Sequence, residues 1–94
     1  MGEYQEYEGV RDASGMRLAI VAGRFNEHVT KPLLEAARST LRELGVADAP
    51  VHWAPGAFEI PLVAQRLATS GAFDAVVCLG AVIRGDTPHF DFVA

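Results

Sequence analysis

The 94-residue sequence lacks several features that would place it in common functional classes. It has one cysteine, Cys78, so no disulfide framework is possible, and such sparse cysteine is typical of a reducing compartment. No apolar run approaches the roughly 18 to 20 residues of a membrane helix, and the start MGEYQEYEG has no apolar signal core. We therefore expect a cytoplasmic location.

Concentrated positive charge is also absent. The 8 Lys and Arg are scattered and outnumbered by 12 Asp and Glu, giving a net charge of −4, which argues against a nucleic-acid partner. The chain has no GxGxxG, GxxxxGK[ST] or HExxH motif and no paired cysteines. The common nucleotide and zinc sites therefore lack their residues.

What the sequence does contain is an alternation of apolar strands and amphipathic helices. Residues 1–15 predict an arm, with a short edge strand around 8–11, and residues 17–22 predict a buried strand broken by Gly23. A helix follows, with Thr30 as its cap, Pro32 in its first turn and Gly45 at its end. Its apolar residues recur at helical spacing: Leu33, Leu34, Ala37, Leu41 and Leu44.

The same order is then repeated. Residues 50–54 predict a second strand that ends in a Pro55-Gly56 turn, and a second helix fades at 69–71. Residues 74–83 are almost wholly apolar, as in a parallel strand covered on both faces, and Cys78 is predicted to be a small buried residue there. The pattern predicts an α/β fold, a three-layer α/β/α sandwich with a parallel sheet, spanning residues 16–94.

Ligands of such sheets bind beyond the carboxyl ends of the strands, so three loops are candidates. In the first, GRFNEH, Phe25 could stack on a flat ring or plug the sheet edge, and Asn26 could bind a ligand or cap the helix; Arg24 and His28 are expected to face solvent. In the second, APGAFE, Gly56 permits close backbone approach. Glu59 could accept hydrogen bonds from hydroxyls or complete the helix cap.

The third loop, VIRGDTPHF, carries the most chemistry. Gly85, Asp86 and Thr87 could form a nest of amides with one hydroxyl that suits a phosphate, provided that the Asp86 carboxylate turns to solvent. His89 could transfer protons near neutral pH, or it could be an ordinary structural or exposed histidine. His52, in mid-strand, is a weaker candidate.

Together, RFN at 24–26, PGAFEIP at 55–61 and GAVIRGDTPHFDFV at 80–93 resemble the lumazine synthase family, in the family's order and spacing. The resemblance implies a flavodoxin-like fold and a cofactor-free, metal-free transferase of riboflavin biosynthesis. It would condense 5-amino-6-(D-ribitylamino)uracil with 3,4-dihydroxy-2-butanone 4-phosphate. One departure is Pro88, where many members have a second threonine.

The resemblance also implies residue roles. Phe25 would stack on the pyrimidine, and backbone at Val82 and Ile83 would face the pyrimidine edge. Asn26 and the segment Ala57, Phe58 and Glu59 would hold the ribityl chain. Asp86 and Thr87 would bind phosphate beside Gly85, and His89 would be the proton shuttle.

Family members continue beyond the position of Ala94, so we expect this chain to be the N-terminal portion of a subunit whose fold is incomplete here. The resemblance implies self-association as a pentamer or larger shell, with no nucleic-acid or membrane partner. Two other functions remain open: a non-catalytic shell or scaffold subunit of the same fold, and a binding module for a flavin or a phosphorylated small molecule.

Overall fold

The computed structural model of the chain describes residues 9–84, which form one parallel sheet with a helix on each face. The elements are β1 (Leu18–Gly23), α1 (Glu27–Glu43), β2 (Val51–Ala54), a single 3₁₀ turn (Ala57–Glu59), α2 (Ile60–Thr69) and β3 (Ala75–Leu79). The strand order is β2-β1-β3, and both pairings are parallel. The predicted α/β fold with a parallel sheet is confirmed.

β1 is the centre of the core. All six of its residues are buried, since it has a strand on each side and a helix over each face. On one face, Val21 packs with Ala54 and with Ile60 of α2, and Val76 of β3 lies against the same cluster. The adjacent Val77 points to the opposite face, where it meets α1. The two helices therefore lie on opposite faces, giving the predicted three layers.

α1 begins earlier than the sequence predicted. Its N-cap is Asn26, and Thr30, predicted as the cap, lies inside the helix and is fully buried. Pro32 is consequently an internal residue rather than a first-turn residue. The predicted end is correct: Gly45 has a φ of 99°, a left-handed conformation that favours glycine.

β3 is shorter and less covered than predicted. It ends at Leu79, which pairs with Ala22 in the last pair of the β1–β3 register. As an edge strand it is mostly half-buried, and Cys78 is exposed, so the prediction that Cys78 is buried is wrong. Over the middle of β3 lies an apolar groove of about 330 Å³, whose lining residues are Ala36, Ala37, Thr40, Leu41 and Val77.

The segment before β1 contacts the end of α1 without forming a strand. The N–H of Ala13 donates to the carbonyl of Leu44 at 2.7 Å, while Val10 is 85% exposed. The edge strand predicted around residues 8–11 is absent from residues 9–11, and none of the strands within residues 9–84 pairs with them. The limits of the arm and domain, 1–15 and 16–94, stay a prediction.

An ion pair ties the amino ends of β1 and β3 together. Arg17 donates its backbone N–H to Asp74 Oδ2 at 2.7 Å and its guanidinium to Asp74 Oδ1 at 3.1 Å. Asp74 returns a backbone bond to the Arg17 carbonyl, also at 2.7 Å. The hydrogen bonds from Arg17 lower the pKa of the Asp74 carboxyl, and the hydrogen bond to Asp74, together with its charge, raises the pKa of Arg17. Neither helix among residues 9–84 is long and apolar enough to span a bilayer.

Candidate functional site

The loop after β1 is held as an extension of the β1–β2 pairing. The N–H of Arg24 donates to the Ala54 carbonyl at 2.8 Å, and the N–H of Phe25 donates to the Pro55 carbonyl at 2.9 Å. Asn26 then adopts a left-handed conformation with φ of 62°, which asparagine tolerates better than most residues. This turn lets α1 start at once and leaves the Phe25 side chain at the carboxyl edge of the sheet.

A buried hydroxyl also anchors this turn to β1. Thr30 Oγ1 donates to the carbonyl of Gly23 at 2.8 Å, and the Thr30 side chain is fully buried. The bond joins the first turn of α1 to the last residue of β1. It thereby sets where residues 24–26 lie relative to the strand.

Of the alternative roles considered for Phe25 and Asn26, only the place of Asn26 at the start of α1 agrees with the structure. Phe25 is 55% exposed, so it does not plug the sheet edge. Asn26 occupies the N-cap position, but its side chain makes no capping hydrogen bond. As predicted, Arg24 and His28 are exposed.

The second loop forms a short 3₁₀ turn before α2. Gly56 begins this turn in an extended conformation, and its carbonyl accepts the N–H of Glu59 at 3.2 Å. Glu59 precedes α2, but its side chain makes no capping hydrogen bond, so the capping alternative is not supported. Phe58 is 73% exposed, whereas Ala57 and Glu59 are half-buried.

Three glycines at the strand ends bring the loops together. A Cβ added at Gly23 would lie 3.5 Å from the Gly56 carbonyl carbon, and one added at Gly56 would lie 3.4 Å from Phe25 Cβ and 3.9 Å from Glu59 Oε2. A Cβ at Gly80 would approach Ile60 Cδ1 to 2.8 Å. Phe25, Gly56 and the Glu59 carboxylate therefore lie at one rim, with the start of α2 between β1 and β3.

The third loop is described only as far as residue 84. Val82 is half-buried and Ile83 is 49% exposed in the chain that follows Gly80. The remaining predicted residues of this loop, Gly85, Asp86, Thr87 and His89, lie outside the described residues. Their roles in binding phosphate and moving protons stay predictions.

The described part of the rim offers aromatic, carboxylate and backbone groups rather than a cluster of metal ligands. Within residues 9–84, no cluster of three or more His, Cys, Asp or Glu side chains could hold a metal ion. The rim instead offers an exposed phenyl ring, a half-buried carboxylate and a glycine against which a ligand could approach the backbone. His52 is not part of it: its ring makes an edge contact with Phe73, with centroids 6.5 Å apart.

Sequence reasoning missed two residues that shape the rim. Thr30 was read only as a cap, although a helix whose first turn must face β1 could have suggested a buried hydroxyl. Trp53 was not singled out, yet the Arg24 guanidinium lies 5.0 Å from the centre of its ring. The position of Trp53 in the predicted second strand, two residues before the Pro55-Gly56 turn, could have marked it as a neighbour of the site.

Comparison with known proteins identifies the family of the chain. The sequence model of the 6,7-dimethyl-8-ribityllumazine synthase family matches residues 15–94. The chain belongs to the lumazine synthase family. This confirms the resemblance seen in RFN, PGAFEIP and GAVIRGDTPHFDFV, and it fits the three-stranded parallel sheet as part of a flavodoxin-like fold.

Two curated relatives carry the lumazine synthase name. The protein from Protochlamydia amoebophila is 54% identical over 92 residues, covering 96% of this chain and 54% of the relative. The protein from Clostridium kluyveri is 49% identical over 90 residues, covering 94% of this chain and 58% of the relative. The chain thus spans little more than half the length of these lumazine synthases.

Proposed function

We propose that the protein is a 6,7-dimethyl-8-ribityllumazine synthase, a transferase that condenses 5-amino-6-(D-ribitylamino)uracil with 3,4-dihydroxy-2-butanone 4-phosphate. The observation that carries the proposal is the convergence of Phe25, Gly56 and Glu59 at the carboxyl edge of the sheet in a chain of this family. Neither part would suffice alone, because a fold hosts many functions and an exposed ring has many uses.

Each group at the rim has a task in this reaction. The exposed Phe25 ring stacks on the pyrimidine, and backbone at Val82 and Ile83 faces the pyrimidine edge. Asn26 and the segment 57–59 hold the ribityl hydroxyls, with the Glu59 carboxylate as acceptor. Neither Asn26 nor Glu59 makes a side-chain capping bond to its helix, which supports a ligand-binding role for both side chains.

The chemistry asks little beyond positioning and proton transfer. The amine of one substrate forms an imine with the ketone of the other and releases water, and phosphate is then eliminated. The ribitylamino nitrogen attacks the remaining carbonyl carbon and a second water leaves, which closes the second ring. Gly85, Asp86 and Thr87 bind the phosphate, and His89 moves protons. Holding two reactive partners in register supplies much of the rate, so no metal or organic cofactor is part of the proposal.

The proposal extends to assembly and location. Phe58 and Leu62 are 73% and 56% exposed near the start of α2, so two large apolar side chains face solvent there. We assign this surface to contact with a second copy, in a pentamer or a larger shell. A cytoplasmic location accords with the exposed, unpaired thiol of Cys78.

The test mixes the purified protein with both substrates and follows the absorbance of the lumazine chromophore. Phe25→Ala should weaken pyrimidine binding by about 1–3 kcal/mol, the range of ring stacking on an aromatic side chain. Phe73→Ala, which removes a ring that contacts His52 instead, is the matched control and should leave KM unchanged. A wild-type protein that forms no chromophore would refute the proposal.

His89→Asn separates the rival functions. If His89 is a proton shuttle, kcat falls by about 10²–10⁴ while lumazine binding changes little. Equal loss of turnover and binding would favour a flavin or phosphate-binding module. Absence of both in the wild-type protein would favour a scaffold subunit.

A further inference from the structure

Trp53 and Arg24 form a pair beside the rim that none of the substrate roles above uses. The Arg24 guanidinium carbon lies 5.0 Å from the centroid of the Trp53 ring, within the range of a cation–π interaction. Trp53 is half-buried in β2, whereas Arg24 is exposed in the loop after β1. The pair therefore links the long side chain of an exposed loop residue, Arg24, to a residue of β2, Trp53.

Backbone hydrogen bonds next to the Arg24–Trp53 pair identify the segment whose position the pair could stabilise. Trp53 pairs with Ala22, and the next bonds along the ladder run from the Arg24 N–H to the Ala54 carbonyl and from the Phe25 N–H to the Pro55 carbonyl. These two bonds lie outside the regular strands. They connect the Phe25 loop to the end of β2 just before the chain turns at Asn26.

We infer that Trp53 and Arg24 are positioning residues: the stacked guanidinium holds residues 24 and 25 on the β1–β2 ladder and so fixes the Phe25 ring at the rim. The consequence for the ligand rests on the proposed function. Without the stacked pair, the loop opens more often, and the Phe25 ring spends less time where a pyrimidine would meet it. Neither Trp53 nor Arg24 needs to touch the substrate.

Amide hydrogen exchange of Arg24 and Phe25 measures this opening directly. Trp53→Leu should raise the exchange of both amides about two- to five-fold, the effect of losing one exposed cation–π pair. Arg24→Gln should do the same, and Trp53→Phe, which keeps an aromatic face, should restore most of the protection. Phe73→Leu is the matched control and should leave both amides unchanged.

The double variant Trp53→Leu/Arg24→Gln distinguishes positioning from simple packing. If the two side chains act as a pair, it should exchange no faster than either single variant, whereas independent structural effects would multiply. Multiplying effects, or protection unchanged in Arg24→Gln, would overturn the inference.

Binding of 6,7-dimethyl-8-ribityllumazine, measured by calorimetry, supplies the functional readout. Its Kd should rise about two- to five-fold in Trp53→Leu and return toward the wild-type value in Trp53→Phe. Unchanged affinity in Trp53→Leu would refute the link to the site. A wild-type protein that binds no lumazine would instead refute the proposed function, and the exchange data would still decide whether the pair holds the loop.

Discussion

Replacing Thr30 with valine tests how the candidate site is anchored to the core. Valine has nearly the shape of threonine and adds no bulk, but it cannot donate a hydrogen bond. The change removes the 2.8 Å bond from Thr30 Oγ1 to the Gly23 carbonyl and leaves an apolar methyl facing that oxygen. Everything else about the fully buried side chain is retained.

The expected cost follows from the burial of both groups. Gly23 is buried at the end of β1, so its carbonyl cannot readily exchange the lost donor for bulk water. Leaving a buried acceptor without its partner costs about 1–3 kcal/mol. This corresponds to a roughly 5- to 150-fold decrease in the equilibrium constant for folding. Thr30→Ser keeps the hydroxyl and loses one methyl group, at a cost of about 1 kcal/mol.

Urea unfolding of the wild-type protein and the two variants measures these differences. The valine variant should lose at least as much stability as the serine variant, although valine is the more hydrophobic residue. Hydrophobic burial alone predicts the reverse order. A valine variant as stable as the wild type would show that the bond to Gly23 does not anchor the turn.

Three further predictions concern the rest of the described chain. Asp74→Asn should destabilise the protein at neutral pH because it removes the ion pair with Arg17. Since that ion pair lowers the pKa of Asp74, its contribution to stability is present above the ordinary carboxyl pKa of about 4 and is lost as the pH falls through the lowered value. The stabilities of the wild type and the variant, measured by unfolding, should therefore converge in acid, and a difference that persists there would contradict the assignment. Gly45→Ala should lower the free energy of unfolding by about 1–2 kcal/mol, measured by thermal or urea unfolding. Alanine is disfavoured at a φ of 99°, and its Cβ would overlap Ser14 Oγ. Unchanged stability would argue against the left-handed conformation at the end of α1. Cys78 should react with a thiol reagent in native buffer at a rate near that of the denatured protein, whereas protection until unfolding would show that β3 is covered.

The order of elements was predictable because apolar periodicity depends on which faces are buried. β1 is buried throughout, and its continuous apolar run predicts that burial. The three predicted strands and two predicted helices of the sheet domain are present, whereas the edge strand predicted around residues 8–11 is absent from residues 9–11. The turns at Gly45 and Pro55-Gly56 lie where expected. Chain ends and edges were harder, since the apolar residues 74–83 look the same in an edge strand and in a covered one. Cys78 is exposed on β3, which the strand order places at an edge of the described sheet. That strand order could not be predicted from the apolar pattern.

The site was predictable as a set of loops but not as a geometry. The rule that ligands bind at the carboxyl ends of parallel strands was enough to select the loops containing Phe25 and Gly56. The contacts of Thr30 and Trp53 depend on where α1 begins and on how β2 aligns with β1. Helix starts are set by such tertiary contacts, so the sequence offers both Thr30 and Asn26 as caps, and the structure places the N-cap at Asn26.

Backbone amide chemical shifts during titration with 6,7-dimethyl-8-ribityllumazine test the central claim most directly, that loops at one edge of the sheet form a single ligand site. The account predicts saturable shifts at Phe25, at residues 56–59 and at Val82, with little change at Arg17 and Asp74 on the opposite edge. Shifts confined to that opposite edge, or to only one of the loops, would contradict it.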